Sequence, residues 1–174
     1  QCVDCHTTEK HNISGKVYSL SSMNLDRNTC EQCHTENPHD DNILNEHSIK
    51  VACQSCHIPT YAKANSTKMY WDWSTAGKLK DGEPYEEDDS LGNHTYLSIK
   101  GSFVWERNVV PDYIWFNGTA SHYLEGDIIK DTTNPLVLNQ LHGSYSDNES
   151  KIYPVKIHVA NQPYDPVNKI LIQP

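Results

Sequence analysis

All six cysteines of the chain follow one repeated spacing, in which two cysteines flank two other residues and a histidine comes directly after the second cysteine. The three copies are Cys2-Val3-Asp4-Cys5-His6, Cys30-Glu31-Gln32-Cys33-His34 and Cys53-Gln54-Ser55-Cys56-His57. Two thiols at this spacing can add to the vinyl groups of a haem, and the adjacent histidine is then held against the iron as its proximal ligand. The pattern therefore predicts three covalently bound haem c groups.

Zinc binding and disulfide formation are the alternative uses of paired cysteines. Two Cys-x-x-Cys pairs could form one tetrahedral zinc site, but a third pair would be left over, and zinc would not require a histidine after every pair. A disulfide framework of the kind found in small secreted chains would not require these histidines either. Haem attachment accounts for both the cysteines and the histidines.

Seven of the 10 histidines remain once the proximal ligands His6, His34 and His57 are subtracted. The three that lie within the haem-bearing segment are the predicted distal ligands, namely His11, His39 and His47. Met23 and Met69 are the only thioether alternatives in the chain.

His158 is a fourth candidate, because it lies in an alternating segment that would point it to one face of a strand. It is an alternative distal ligand, or a ligand to a haem of a neighbouring subunit. The other histidines, His94, His122 and His142, are expected on the surface or in hydrogen bonds.

The fraction of hydrophobic residues is low for a chain that has to form a hydrophobic core. The chain has 174 residues, of which 36% are hydrophobic, and its mean hydropathy is -0.71. This length corresponds to one domain, or to one domain with an appendage. We expect the haems to supply the missing apolar mass, so that the chain would fold poorly without them. The formal net charge of -9 argues against nucleic acid and anionic membrane surfaces as partners.

The composition changes after residue 57. Residues 1–57 hold every attachment motif and little hydrophobic periodicity, which predicts a trihaem-binding segment with short helices at the motifs. Residues 58–174 lack cysteine and contain short β-branched and aromatic runs, including 113–116 and 151–159, which predict short β-strands and long loops. The predicted fold class is a multihaem cytochrome c with little regular secondary structure, in which the haem-free, β-rich region packs on the haems and forms subunit contacts.

The acidic stretch at 83–89 is expected to be a solvated loop, with a docking surface for a basic partner as the alternative.

The sequence predicts a location outside the cytoplasm. No stretch approaches the run of about 18 apolar residues that spans a bilayer. Haem c is attached outside the cytoplasmic membrane, and the first motif begins at residue 2, so we expect the start to come from signal cleavage or from a cut within a longer chain. The protein is therefore expected to be extracellular or at the cell surface, with the periplasm as the alternative.

Five sequons of the Asn-x-Ser/Thr type indicate either an asparagine-rich polar surface or a glycosylated extracellular protein. They begin at Asn12, Asn65, Asn93, Asn117 and Asn148.

Longer stretches of the chain extend beyond the haem motifs. They include Asn37-Pro38-His39 and Trp71-Asp72-Trp73, and in full they are residues 5–7, 11–15, 37–39, 44–47, 51–59, 67–77, 100–105, 111–118, 156–158 and 162–165. These stretches resemble the octahaem tetrathionate reductase family of multihaem cytochromes c, in the middle and later part of that longer chain. They cover most of the chain, and a similarity caused by the haem motifs alone would not include the tryptophan-rich segments.

The resemblance implies a shared haem-packing scaffold. In that family an N-terminal portion provides the catalytic haem with its lysine ligand, and a further haem motif closes the C-terminus. Neither is present in these 174 residues. If the sequence is complete, the resemblance therefore does not imply the reductase activity. The histidines that match the family's pattern are His11, His39, His47 and His158, one more than three distal positions require.

These observations predict extracytoplasmic electron transfer through three bis-histidine haems, since two imidazoles saturate an iron and leave no position for a substrate. We expect a homo-oligomer or homopolymer, as in an extracellular cytochrome filament, where the surplus histidine would ligate iron across a subunit boundary. Redox proteins or extracellular electron acceptors would be its partners, and no catalytic residue is predicted. The alternative is a fragment or relative of a multihaem reductase of sulfur or nitrogen oxyanions, which needs an open iron position and a cationic pocket.

Overall fold

The computed structural model describes residues 29–172, together with the backbone of two short strands at 8–9 and 12–13. The chain divides into two compact units, each assembled from segments that are far apart in sequence. The first unit combines residues 1–58 with 113–122 and 137–155, and the second combines 59–112 with 123–136 and 156–174. The functional division at residue 57, between a haem-binding segment and a haem-free region, stays a prediction.

Short strands account for most of the regular structure. In chain order they are β1 Thr8–Glu9, β2 Asn12–Ile13, β3 Thr67–Asp72, β4 Leu79–Lys80, β5 Glu83–Pro84, β6 Glu86–Asp88, β7 His94–Leu97, β8 Gly101–Glu106, β9 Asp112–Phe116, β10 Ala120–His122, β11 Asn139–Leu141, β12 Lys151–Val155, β13 Val159–Asn161, β14 Tyr164–Asp165 and β15 Ile170–Leu171.

The first unit carries both described α-helices. A 3₁₀ helix spans Cys30–Gln32, α1 spans Asn42–His47 and α2 spans Cys53–His57. Asp41 caps α1, because its carboxylate accepts a hydrogen bond from the backbone N–H of Ile43 at 2.8 Å. The strands of this unit form two-stranded sheets, in which β1 pairs with β2, β9 with β12, and β10 with β11.

The second unit is built on a five-stranded sheet in the order β13-β3-β8-β7-β6. The β13–β3 pair is parallel and the other pairs are antiparallel. A 3₁₀ helix, Trp73–Thr75, follows β3, and two small hairpins, β4–β5 and β14–β15, complete the unit. Strands β13 and β6 are the two edges of the sheet.

The turn between β7 and β8 requires glycine at its end. Gly101 has φ +81, a backbone conformation that L side chains rarely adopt, and a Cβ atom there would overlap the carbonyl oxygen of Asp72. The backbone N–H of Lys100 donates to the Leu97 carbonyl oxygen at 2.9 Å and closes the turn.

Aromatic side chains pack on one face where β3 and β8 pair. The Trp71 ring stacks on Trp73 at 4.8 Å between centroids and contacts Phe103 at 5.4 Å. The Lys68 ammonium lies over Phe103 at 3.9 Å and over Trp105 at 5.1 Å from the ring centroids. Burial lowers the pKa of Lys68, and the nearby Lys100 and Lys156 lower it further. The aromatic side chains of β3 and β8 therefore pack locally within this sheet.

The polypeptide buries few apolar side chains. Among the described residues, the buried hydrophobic ones are Ala52, Tyr96, Phe103, Phe116, Ala120 and Ile129. Such a small set agrees with the low mean hydropathy, since a chain of this composition needs apolar surface from another source.

The predicted fold class is confirmed: the described chain has two short α-helices, and strands and loops make up most of the rest. Two local expectations were wrong. The acidic stretch 83–89 contributes β5 and β6 and is therefore paired for part of its length. The run 151–159 is not one strand, because β12 pairs with β9 whereas β13 pairs with β3, so the chain leaves one sheet before it joins the other. His158 consequently lies just before β13 and not inside a strand.

Candidate haem-binding site

The third motif is a helix, and its spacing follows from helix geometry. Because residues three and four apart lie on one face of a helix, α2 places Cys56 and His57 on the same side as Cys53. The backbone N–H of Ile58 donates to the Gln54 carbonyl oxygen at 2.9 Å and ends the helix. Both thiols and the imidazole of this motif can thus face one ligand.

Strand β12 holds this helix in place from almost a hundred residues away. The Ile152 carbonyl oxygen accepts hydrogen bonds from the Ala52 N–H at 3.0 Å and from the Ser55 hydroxyl at 2.7 Å. The Ile152 N–H donates to the Lys50 carbonyl oxygen at 2.7 Å. These long-range contacts position the motif, and nothing in the local sequence signals them.

The second motif forms a tighter turn beside the third. The His34 N–H donates to the Cys30 carbonyl oxygen at 2.8 Å, and Lys151 of β12 approaches Glu31 at 3.9 Å. Burial raises the pKa of the Cys30 thiol, and the adjacent Cys53 thiol raises it further. The first cysteines of the two motifs are therefore neighbours, so two haems attached here would lie close together.

The rings of His39 and His57 lie at a separation that would allow both to bind one iron. Their ring centroids are 6.0 Å apart and the ring planes are inclined by 13°. Metal–nitrogen bonds to histidine are about 2 Å long, so two imidazoles that shared one iron would have their ring centres about 6 Å apart. The separation of the predicted distal ligand His39 from the predicted proximal ligand His57 is thus compatible with a single bis-histidine haem.

Two further predicted ligands lie at the surface of the first unit. His47 is the last residue of α1 and His34 ends the second motif, and both side chains are exposed. Neither ring makes a hydrogen bond to another described residue. Their imidazole nitrogens are therefore available for metal coordination, although the structure does not bring the two rings together as a pair.

Part of the predicted set lies outside the described residues. These are Cys2, Cys5, His6 and His11, together with the alternative ligand Met23. Their roles stay predictions.

His158 has one ring nitrogen engaged. Its Nδ1 lies 3.0 Å from the carbonyl oxygen of Lys68, and because a carbonyl only accepts, Nδ1 carries the proton and Nε2 keeps its lone pair. Histidines that bind metals commonly donate their second N–H to a backbone carbonyl in this way. The other candidate of this region, Met69, accepts a hydrogen bond from the Tyr61 hydroxyl at 3.6 Å through its sulfur.

The histidines expected at the surface are engaged in hydrogen bonds. His94 Nδ1 lies 2.6 Å from Asp88 Oδ1, and His122 Nδ1 lies 2.8 Å from Asn139 Oδ1. Both nitrogens of His142 have hydroxyl partners, at 3.2 Å each. All three side chains thus make hydrogen bonds, and at His142 both ring nitrogens are engaged in them.

The surroundings of the motifs suit a porphyrin. Four large apolar side chains that flank them in sequence are exposed: Ile43 by 62%, Leu44 by 47%, Ile49 by 64% and Ile58 by 46%. Large apolar side chains that are exposed beside the motifs can pack against another apolar group. The described cysteines Cys30, Cys33, Cys53 and Cys56 are free thiols. Within residues 29–172, no group of three or more His, Cys, Asp or Glu side chains is arranged to hold a bare metal ion. In each of these two motifs, a pair of thiols and an adjacent imidazole form a donor set that fits covalent haem.

Residues 68–174 match the family model described as bacterial cytochrome c. The chain belongs to this family. A cytochrome c binds haem through thioether bonds, so the predicted cofactor type is confirmed.

One solved structure with the same fold is an octahaem cytochrome c from Shewanella oneidensis. It superposes with a TM-score of 0.86 at 48% sequence identity, and the match covers 99% of this chain but 38% of that chain. The prediction of a multihaem cytochrome c that resembles part of an octahaem protein is thus confirmed. No curated protein matches the chain at a significant level. Among the described residues, no helix of this cytochrome is long and apolar enough to cross a membrane.

Proposed function

We propose that this cytochrome binds three haem c groups and conducts electrons between them without catalysing a reaction of its own. Cys2 and Cys5, Cys30 and Cys33, and Cys53 and Cys56 would supply the thioether bonds. The proximal ligands would be His6, His34 and His57, and the distal ligands His11, His39 and His47. The observation that carries the proposal is the separation of 6.0 Å between the nearly parallel rings of His39 and His57, since two imidazoles leave an iron with no free position.

The haem supplies an iron that changes between the ferric and ferrous states. The chain determines how the haems are arranged for electron transfer. The neighbouring Cys30 and Cys53 support a close approach of the second and third haems. Closely packed haems favour transfer of electrons from one to the next.

A haem count and a spin-state measurement test this function. A pyridine haemochrome assay on the denatured protein is expected to give three haem c groups per chain, and electron paramagnetic resonance of the oxidised protein is expected to show low-spin ferric signals alone. A different count, or a high-spin haem in the intact protein, contradicts the proposal.

We further propose that the protein assembles with copies of itself into an extracellular polymer. Its His158 is exposed, with Nε2 available, and is preceded and followed by Ile157 and Val159, each 51% exposed. These residues adjoin β13, an edge strand whose free backbone groups can pair with another chain. A ligand histidine and an apolar strand edge on one segment support a contact in which His158 completes an iron of the next subunit, and extracellular electron acceptors or redox proteins would then be the partners.

Native mass spectrometry and electron microscopy of the purified protein test the assembly. Filaments or large oligomers are expected, and His158→Ala is expected to reduce their length or abolish them while the haem count is unchanged. A monodisperse single chain at high concentration overturns the polymer.

A reductase of sulfur or nitrogen oxyanions is the second candidate. It is supported by the resemblance of the sequence to the octahaem tetrathionate reductase family, and this chain spans 38% of the octahaem cytochrome that it matches. Such an enzyme needs a displaceable iron ligand, so nitrite or cyanide added to the oxidised protein would shift the Soret band at low concentration. An unchanged spectrum supports the electron carrier.

An extracellular or cell-surface location, with the periplasm as the alternative, follows from the same proposal, and the sequons permit N-linked glycans. Asn65 and Asn148 are exposed. Asn93 and Asn117 instead use their amide groups within the fold, since Asn93 Nδ2 donates to Asp89 at 2.8 Å and Asn117 Nδ2 donates to Asp147 at 2.9 Å. Glycans are therefore proposed at the two exposed positions.

A further inference from the structure

Asn45 binds His39 through three hydrogen bonds. The backbone N–H of His39 donates to Asn45 Oδ1 at 3.0 Å, and the Asn45 amide donates from Nδ2 to the His39 carbonyl oxygen at 2.7 Å. His39 Nδ1 also lies 3.3 Å from the same Oδ1. One side chain of α1 thus contacts the backbone and the ring of a predicted haem ligand.

This network determines which nitrogen of His39 carries the proton. A backbone carbonyl can only accept, so Nδ2 must face it, and Oδ1 must face the imidazole. Because Oδ1 also only accepts, Nδ1 of His39 carries the proton and Nε2 keeps its lone pair. Nε2 is therefore the nitrogen that can bind iron.

We propose that Asn45 is a positioning residue that sets the ring orientation and the ligand strength of His39 at the haem of the third motif. This inference rests on the proposed function, in which His39 is the distal ligand opposite His57. A hydrogen bond from the far ring nitrogen to an acceptor makes an imidazole a stronger donor to the metal and fixes its plane.

Asn45 lies on the same helix as His47, another predicted distal ligand. Residues two apart on a helix face different sides, so Asn45 can contact His39 while His47 points elsewhere. The carbonyl oxygen of Asn45 also accepts a hydrogen bond from the Ser48 hydroxyl at 2.6 Å, just beyond the end of the helix. Helix α1 thus carries one predicted distal ligand and restrains another.

Two substitutions in the holoprotein test the role, because they change the acceptor in opposite directions. Asn45→Ala removes the acceptor, so one haem is expected to gain a higher midpoint potential and a changed low-spin resonance. The cyanide concentration needed to displace its ligand is expected to fall about 10–100-fold. Asn45→Asp supplies a stronger acceptor, so the potential of the same haem is expected to fall. A residue that only stabilised the fold would leave the low-spin resonance and the effective cyanide concentration unchanged.

Asn42→Ala is the matched control, since Asn42 is an exposed asparagine of the same helix. Its potentials and cyanide titration are expected to equal those of the wild type. His39→Ala distinguishes a failure of the proposed ligation by His39 from a failure of the proposed role of Asn45. If it leaves every haem low-spin, His39 is not a ligand and that part of the proposed function fails. If it makes one haem high-spin while both Asn45 variants behave as the wild type, the role of Asn45 alone is overturned.

Discussion

The hydroxyl of Ser55 donates a hydrogen bond to the carbonyl oxygen of Ile152 at 2.7 Å, which ties the third attachment motif to strand β12. The two residues are separated by 97 positions in the sequence, and the bond is half-buried. The motif helix is therefore anchored by a strand that carries no haem ligand of its own.

Ser55→Ala should destabilise the first unit, because it leaves part of the Ile152 acceptor capacity unsatisfied. The expected loss is about 1 kcal/mol in the free energy of unfolding. Denaturant unfolding followed at the Soret band measures it, with the exposed Ser146→Ala as the control. Equal losses in the two variants would show that the Ser55 bond contributes nothing specific.

His39→Ala should convert one haem of the oxidised protein from low-spin to high-spin, since one iron loses its distal imidazole. Thioether attachment does not depend on His39, so the haem count should be unchanged. Electron paramagnetic resonance measures the change, and His142→Ala serves as the control because both nitrogens of His142 have hydroxyl partners. If the two rings merely stack without iron between them, as aromatic rings can, every haem will remain low-spin.

Gly101→Ala should destabilise the five-stranded sheet strongly. An L residue at φ +81 costs roughly 1–2 kcal/mol, and the added Cβ would also overlap the Asp72 carbonyl oxygen. Gly82→Ala is a matched control, since Gly82 has φ +87 and nothing within 4 Å of the added atom. Thermal unfolding should show a larger loss of stability for Gly101→Ala than for Gly82→Ala. An equal or smaller loss would mean that the backbone of β3 can move to accommodate the added Cβ atom.

Acid should weaken the first unit through Asp147. Hydrogen bonds from Asn117 and Ser150, and from the Glu149 backbone N–H, hold the pKa of this carboxyl below its usual value, with Lys50 adding a smaller effect. A carboxyl whose pKa is lower in the folded state stabilises the fold above the unfolded pKa of about 3.9, and this contribution is lost as the pH falls through the folded pKa.

Asp147→Asn should therefore reduce stability near neutral pH and approach the wild type below about pH 4. Denaturant unfolding across pH measures the difference, with the exposed Glu125→Gln as the control. If the free energies of unfolding of the wild type and Asp147→Asn differ by the same amount at every pH, the charge of Asp147 has no role in stability.

N-linked glycans, if the native protein carries them, should occur at Asn65 and Asn148 and not at Asn93 or Asn117. A glycan on Asn117 would displace its amide from Asp147, and one on Asn93 would displace its amide from Asp89. Peptide mass spectrometry of the native protein identifies the occupied sites. A glycan on Asn117 would show that the Asp147 network can open without loss of the fold.

The sequence determined the chemistry, because haem attachment depends on spacing that is purely local. A helix of one and a half turns suffices to bring Cys53, Cys56 and His57 to one face, so Cys-x-x-Cys-His can be recognised without knowledge of the fold. The short helices at the motifs and the short aromatic strands followed from equally local patterns. The resemblance to a longer multihaem family was also carried by contiguous stretches of sequence.

Tertiary structure alone decided which residues support that chemistry. The contact between His39 and His57 spans 18 positions, as their numbers show, and the contact between Ser55 and Ile152 spans 97. The run 151–159 reads as one strand, but its halves pair with different partners, β9 and β3, and this choice depends on where those strands lie. A pattern of neighbouring residues cannot encode such pairings, since hydrogen-bond partners and ring separations are set by chain segments that meet only after folding.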